Sequence, residues 1–316
     1  MKHIIALSRL IRFPNLLIIA GTQVLLRQCI ILPFLKLNHM ELQLAGGLFV
    51  LLVLATVLIA AGGYAINDYF DRKIDQVNKP NAVIVGRLIY PRHAMAYHLF
   101  FSITGILLGS WVSFRTGLFF LSMVFIMVGG LLWFYSTTYK REFFIGNIIV
   151  ALLTALVPFM VLLFELPLLA RTYGRSVDDL ARYLLIWVLG FSTFAFLLNL
   201  CREIVKDAAD FEGDQAYGKN TFPVVLGMRI TRWIAILILI IVIVSLAMAW
   251  YFFVPDRTTL LYFMLGLILP LLAVIFLLAR SENQESFKVI GLVLKLIMLA
   301  GLAYMIVVNL IIHKLT

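Results

Sequence analysis

The chain has 316 residues, of which 63% are hydrophobic and only 13% charged, and its mean hydropathy is +1.04. That composition excludes an ordinary soluble enzyme and gives an all-α, polytopic membrane protein, a single membrane-embedded domain over residues 1–316. The net charge of +10 fits anchoring to anionic lipid at the bilayer surface, not nucleic-acid binding.

In chain order, the basic stretch Met1 to Asn15 leads into an apolar run with no small-residue cleavage site, so it reads as a retained first helix. Apolar runs of spanning length fall at 14–35, 44–68, 92–113, 117–138, 143–167, 181–203, 230–254, 258–279 and 288–312. A bilayer needs about 20 residues per helix, so nine transmembrane helices around a central cavity are expected. Cys29 and Cys201 lie far apart without metal-ligand spacing and read as packing residues. Most Lys and Arg residues fall in the loops on the N-terminal side, such as Arg72, Lys73, Arg87 and Arg92. The positive-inside rule then makes the N-terminus and the long polar loops 70–91 and 204–229 cytoplasmic, in a multi-pass cell-membrane protein. Both loops are expected to form short capping helices.

Two acidic clusters close the second and sixth runs. The first is Asn67-Asp-Tyr-Phe-Asp71-Arg-Lys-Ile-Asp75 and the second Asp207-Ala-Ala-Asp210-Phe-Glu212-Gly-Asp214. Carboxylates at helix C-terminal ends oppose the helix dipole, so their placement calls for a counter-charge. At 3.6 residues per turn, Asn67, Asp71 and Asp75 share one helix face, and Asp207, Asp210 and Asp214 share another. Two facing rows of hard oxygen donors suit Mg²⁺ bridging to substrate phosphates, with the carboxylates acting as ligands and not as bases. A cation-coupled transporter is the rival class, although transport sites usually lie at the midplane on broken helices.

Basic residues near the clusters are candidates for diphosphate contact. Lys140 and Arg141 end the fourth run, and Arg202 and Lys206 precede Asp210 on the sixth. Arg27 and Lys295, inside runs, read as snorkelling or interhelical residues without a role.

The sequence resembles the UbiA superfamily of intramembrane prenyltransferases. The family's Asn-x-x-x-Asp-x-x-x-Asp motif matches Asn67, Asp71 and Asp75; its Asp-x-x-x-Asp motif matches Asp210 and Asp214, with Asp207 as a flanking acid. The stretch Arg202 to Asp214, followed by Gly218-Lys-Asn-Thr-Phe-Pro223, is similar to the digeranylgeranylglyceryl phosphate synthase-like branch, as are Asn78-Lys79-Pro80 and Gly146-Asn147. The resemblance implies transfer of a polyprenyl group from its diphosphate, with Mg²⁺ held by Asn67, Asp71, Asp75, Asp207, Asp210 and Asp214. It further implies substrate contacts from Lys79, Tyr135, Lys140, Arg141, Arg202, Lys206, Arg12 and Asn15. The implied acceptor is a geranylgeranylglyceryl phosphate-like lipid, with an aromatic quinone precursor (4-hydroxybenzoate or dihydroxynaphthoate type) as the alternative. One departure bears on the acceptor: Ala82-Val83 stands where relatives carry Arg-Pro.

Overall fold

Inside a bilayer every backbone N–H and C=O must find a partner within the chain, and an apolar sequence meets that demand by coiling into helices. The computed structural model describes residues 2–78, 80, 83–281 and 283–313; Lys79 and Ala82, both singled out above, lie outside them. A short helix, α1 (Lys2–Leu10), is followed by α2 (Phe13–Leu37), α3 (Gly46–Asn78), α4 (Pro91–Arg115), α5 (Phe119–Thr137), α6 (Ile145–Tyr173) and α7 (Asp178–Ala209). Then come a one-turn helix α8 (Phe211–Ala216), α9 (Phe222–Phe253), α10 (Arg257–Arg280) and α11 (Gln284–His313).

Eight apolar helical stretches are long enough to cross a membrane, and one of them, Ile145–Ala209, is the antiparallel pair α6 and α7. A 3₁₀ turn over Gly174–Val177 separates the two, and Gly174 begins it with a φ of 59° that a side chain would resist. Nine membrane-length helices therefore stand among the described residues, at the places the apolar runs indicate. Two of them, α2 and α10, widen into π-turns at Leu26–Ile31 and Phe263–Ile268, just ahead of Pro33 and Pro270. A proline ring crowds the carbonyl four residues back, and a wider turn relieves it.

Close helix contacts come from small residues. Gly62 on α3 leaves its carbonyl open to His98 Nδ1 at 3.0 Å, and Gly105 on α4 lets the α3 backbone at Ala55 and Ile59 approach. Helix α3 packs on α4 and α5, α6 packs on α7, and α7 packs on α9 and α11. Helix α2 touches α3, α6 and α11 and closes the ring. The outward faces carry apolar side chains such as Phe100, Leu107, Met127 and Leu265.

The first motif segment departs from expectation. Instead of a loop with a short capping helix, α3 runs on to Asn78, and residues 85–89 close a small turn through a Val85–Ile89 bridge. The second segment does form a short helix, α8.

Candidate active site

Because α3 continues through the first acidic cluster, Asn67 and Asp71 fall on its buried face, and Asn67 Nδ2 donates to Asp71 Oδ2 at 3.0 Å. Asp75, one turn on, is half-buried. The second cluster is not one continuous helical face. Helix α7 ends at Ala209, Asp210 is the pivot (φ −101°, ψ 12°), and Asp214 sits on α8. Its amide still donates to the Asp210 carbonyl at 3.1 Å, so the turn-by-turn spacing survives the break.

A single glycine docks α8 onto the end of α3. The Gly213 amide donates to Asn78 Oδ1 at 2.8 Å, and a Cβ at Gly213 would lie 2.3 Å from that oxygen. This contact draws Asp214 toward the Asp71 side. Asp71 and Asp214 each have a lysine partner. Lys140, on the 3₁₀ turn Tyr139–Arg141 after α5, donates to Asn67 Oδ1 at 2.7 Å and forms an ion pair with Asp71. Lys219 follows the Gly218 turn (φ 64°) and pairs with Asp214 at 2.9 Å, both side chains below a tenth exposed. Lys140 and Lys219 each act electrostatically on both Asp71 and Asp214, so these two carboxylates share the field of both lysines. Burial pushes the Asp214 carboxyl above its usual range, with Lys219 pulling against it.

A second charged group lies beside the first. Arg12, left-handed at φ 50° where α1 meets α2, pairs with Asp68 at 3.0 Å and covers the Tyr64 ring at 5.0 Å. Burial works against its charge, yet Asp68 and Tyr64 outweigh that and hold the guanidinium above its ordinary value. On α7, Glu203 is buried and takes both Arg202 (2.9 Å) and Lys206 (3.1 Å). A buried carboxylate without such partners would cost several kcal/mol. Asp207 accepts from Asn147 Nδ2 at 2.8 Å and faces a small niche with Lys140, Lys206 and Lys219.

Below these charges opens a cavity of about 260 Å³ among α2, α3, α5, α6, α7 and α11. Arg12, Asn67, Tyr135, Arg202, Glu203 and Lys206 line its charged end, and Ile19, Ile59, Phe125, Val128, Leu156 and Met160 line its apolar depth. A site of this shape suits a molecule with a charged head and a hydrocarbon tail.

Of the residues expected from the sequence, the structure gathers Asn67, Asp71, Lys140, Asp210, Asp214, Arg202, Lys206, Tyr135, Arg12 and Asn15 at or beside this mouth. Arg141 is exposed, and its carbonyl accepts from the Asn220 amide. Sequence reasoning gave no site role to Lys219, Glu203 or Lys295. The signal for Lys219 and Lys295 was available as a lysine five residues past an acid and a lysine inside an apolar span. Among the described residues no three Asp, Glu, His or Cys side chains converge closely enough to hold a metal by themselves. The donor chemistry nevertheless suits a hard divalent cation, which is commonly held by one or two carboxylates with substrate phosphates completing its shell.

The chain belongs to the UbiA prenyltransferase family, which it matches over residues 40–305. It is 30% identical over 246 residues to the digeranylgeranylglyceryl phosphate synthase of Methanosphaera stadtmanae, covering 77% of this chain and 81% of that one. With the synthase of Thermococcus gammatolerans it shares 31% identity over 265 residues, 83% and 86% of the two chains. Its fold is similar to a solved structure concerned with digeranylgeranylglyceryl phosphate synthase in membranes (TM-score 0.63, 21% identity, 98% and 99% coverage). It is also similar to a UbiA homologue from Archaeoglobus fulgidus bound to DMAPP and Mg²⁺ (TM-score 0.59, 17% identity, 95% and 98% coverage). The protein is a multi-pass membrane prenyltransferase.

Proposed function

We propose that this enzyme transfers a geranylgeranyl-type polyprenyl group from its diphosphate to the hydroxyl of a geranylgeranylglyceryl phosphate-like lipid, with Mg²⁺ as cofactor and with the site on the cytoplasmic face. The observation that carries the reading is the cavity. Its apolar depth suits a polyprenyl tail, and Asn67 at its charged end adjoins the Asp71–Lys140 ion pair, groups whose chemistry suits a Mg²⁺-bound diphosphate head. The relatives named as digeranylgeranylglyceryl phosphate synthases support this acceptor over an aromatic quinone precursor.

Asn67, Asp71, Asp210 and Asp214, with Asp75 at the rim and Asp207 behind, would hold Mg²⁺. When bound, the ion neutralises diphosphate oxygens and favours their departure. The protein's own groups do the rest. Lys140 and Lys219 supply fixed positive charge beside the leaving diphosphate, in a site pre-arranged by buried ion pairs. The allylic C–O bond breaks with its electrons going to the diphosphate, the acceptor oxygen bonds to the same carbon, and the hydroxyl proton passes to the departing diphosphate. The apolar cavity wall keeps water from competing with the acceptor. Tyr135, buried where cavity and niche meet, is an aromatic ring available to stabilise developing positive charge.

The experiment is a parallel assay with labelled geranylgeranyl diphosphate, Mg²⁺ and three acceptors: geranylgeranylglyceryl phosphate, 4-hydroxybenzoate and dihydroxynaphthoate. Turnover of the lipid phosphate is expected. Turnover of an aromatic acceptor without the lipid would overturn the acceptor and leave prenyl transfer standing.

A further inference from the structure

A lysine in the middle of an apolar helix ordinarily stretches its ammonium toward the membrane surface. Lys295 on α11 turns inward instead. It lines the central cavity and donates to Asn15 Oδ1 at 2.6 Å, joining positions 280 apart in the chain. Among the described residues no carboxylate is paired with it, and the charges that act on it, Arg202 and Arg12, have its own sign. Three cations drawn together at the head of a cavity repel one another, so the arrangement gains from an anion between them.

Counting charge sharpens this. Arg12 is offset by Asp68, and Glu203 offsets one of Arg202 and Lys206. Lys206 also shares a niche with Asp207 and feels Asp210, so among the described residues Lys295 is the cation of this group that no carboxylate offsets. A phosphate monoester carries about −1.5 to −2 at neutral pH and offers three acceptor oxygens. Lys295 stands apart from the carboxylate rows, where Asp71 pairs with Lys140 and Asp214 with Lys219.

We propose that Lys295, with Asn15, Arg12 and Arg202, forms a subsite for the phosphate monoester of the lipid acceptor, distinct from the donor's diphosphate site. The inference rests on the proposed function and adds to it a residue that selects the acceptor. Held there, the acceptor's phosphate fixes which end of the glycerol unit faces the donor.

The test uses the full chain in detergent, comparing wild type with Lys295→Met, which keeps length and removes charge, and Lys295→Arg. The KM for geranylgeranylglyceryl phosphate and for geranylgeranylglycerol is measured, with inorganic phosphate as a competitor and donor KM and thermal unfolding as controls. Wild type is expected to prefer the phosphate-bearing lipid by about tenfold or more. Lys295→Met is expected to lose most of that preference, and Lys295→Arg to keep it, with donor KM within about twofold throughout. A Lys295→Met enzyme that retains the preference, or whose donor KM rises in step, overturns the inference alone. Absence of the preference in wild type overturns the acceptor reading itself. Competition by inorganic phosphate as strong as that of the lipid would mean a general phosphate site and would also overturn the acceptor subsite.

Discussion

Lys140 reaches 73 positions back along the chain to donate to Asn67 at 2.7 Å, and the same ammonium pairs with Asp71 one turn further along α3. A lysine from the turn after α5 thus occupies the space between the first carboxylate row and the niche beside Asp207. In a buried, low-dielectric setting such a charge both positions the row and competes with any other cation for it.

Lys140→Met should separate these two effects. Transfer is expected to fall about 10²-fold, the scale for losing one pre-arranged charge at a reacting centre. Mg²⁺ should bind the donor-free variant more tightly than wild type, because Asp71 has lost its competitor. Steady-state kinetics and calorimetric titration of Mg²⁺ check the pair. A variant with wild-type kinetics and unchanged Mg²⁺ affinity would leave Lys140 a structural residue.

The α3–α4 contact gives a stability prediction. A Cβ at Gly105 would stand 2.9 Å from the Ala55 carbonyl oxygen and 2.7 Å from Ile59 Cγ1, whereas nothing lies within 4 Å of one at Gly130 on α5. Gly105→Ala should destabilise by about 1–3 kcal/mol as the helices move apart. Gly130→Ala should be neutral or stabilise by about 0.5–1 kcal/mol through helix propensity. Thermal unfolding in detergent measures both, and equal shifts would contradict the packing described here.

Arg27, read from the sequence as snorkelling or interhelical, is interhelical: it is buried at the end of the bundle away from the motifs. Its guanidinium lies 4.3 Å over the Phe49 ring and donates to the Leu44 carbonyl, while buried Glu165 accepts from the amides of Gln43 and Leu44. The two charges pin the segment between α2 and α3. Arg27→Met should cost about 3–5 kcal/mol, the scale for leaving a buried partner charge uncompensated, and should leave donor and acceptor KM unchanged. A change in KM with unaltered stability would place Arg27 in the substrate path instead.

The helices and the spacing of Asn67 and Asp71 were legible because both follow local rules: apolar length for a span, four residues for a shared face. The extension of α3 to Asn78 was not, because the polar sequence after Asp71 reads as loop until Asn78 caps Gly213 of another segment. The break at Asp210 was hidden for the same reason, since the motif spacing is kept by a backbone hydrogen bond across it. Spacing alone does not mark Lys219 as the partner of Asp214, and Lys295 reads as snorkelling or interhelical because its partner, Asn15, stands at the other end of the chain. What sequence pattern cannot carry is which distant side chain supplies the counter-charge.

The most direct test of Mg²⁺-dependent prenyl transfer by two facing carboxylate rows is one measurement on three proteins. Transfer of label from geranylgeranyl diphosphate to geranylgeranylglyceryl phosphate is followed against Mg²⁺ concentration for wild type, Asp71→Ala and Asp214→Ala. Wild type should be active, silent in EDTA and restored by Mg²⁺; each variant should lose about 10²-fold or more per folded molecule, on the scale of removing one transition-state stabilising group, and should unfold at a lower temperature because a lysine loses its partner. Either variant retaining activity within a few-fold of wild type, or activity indifferent to EDTA, would contradict it.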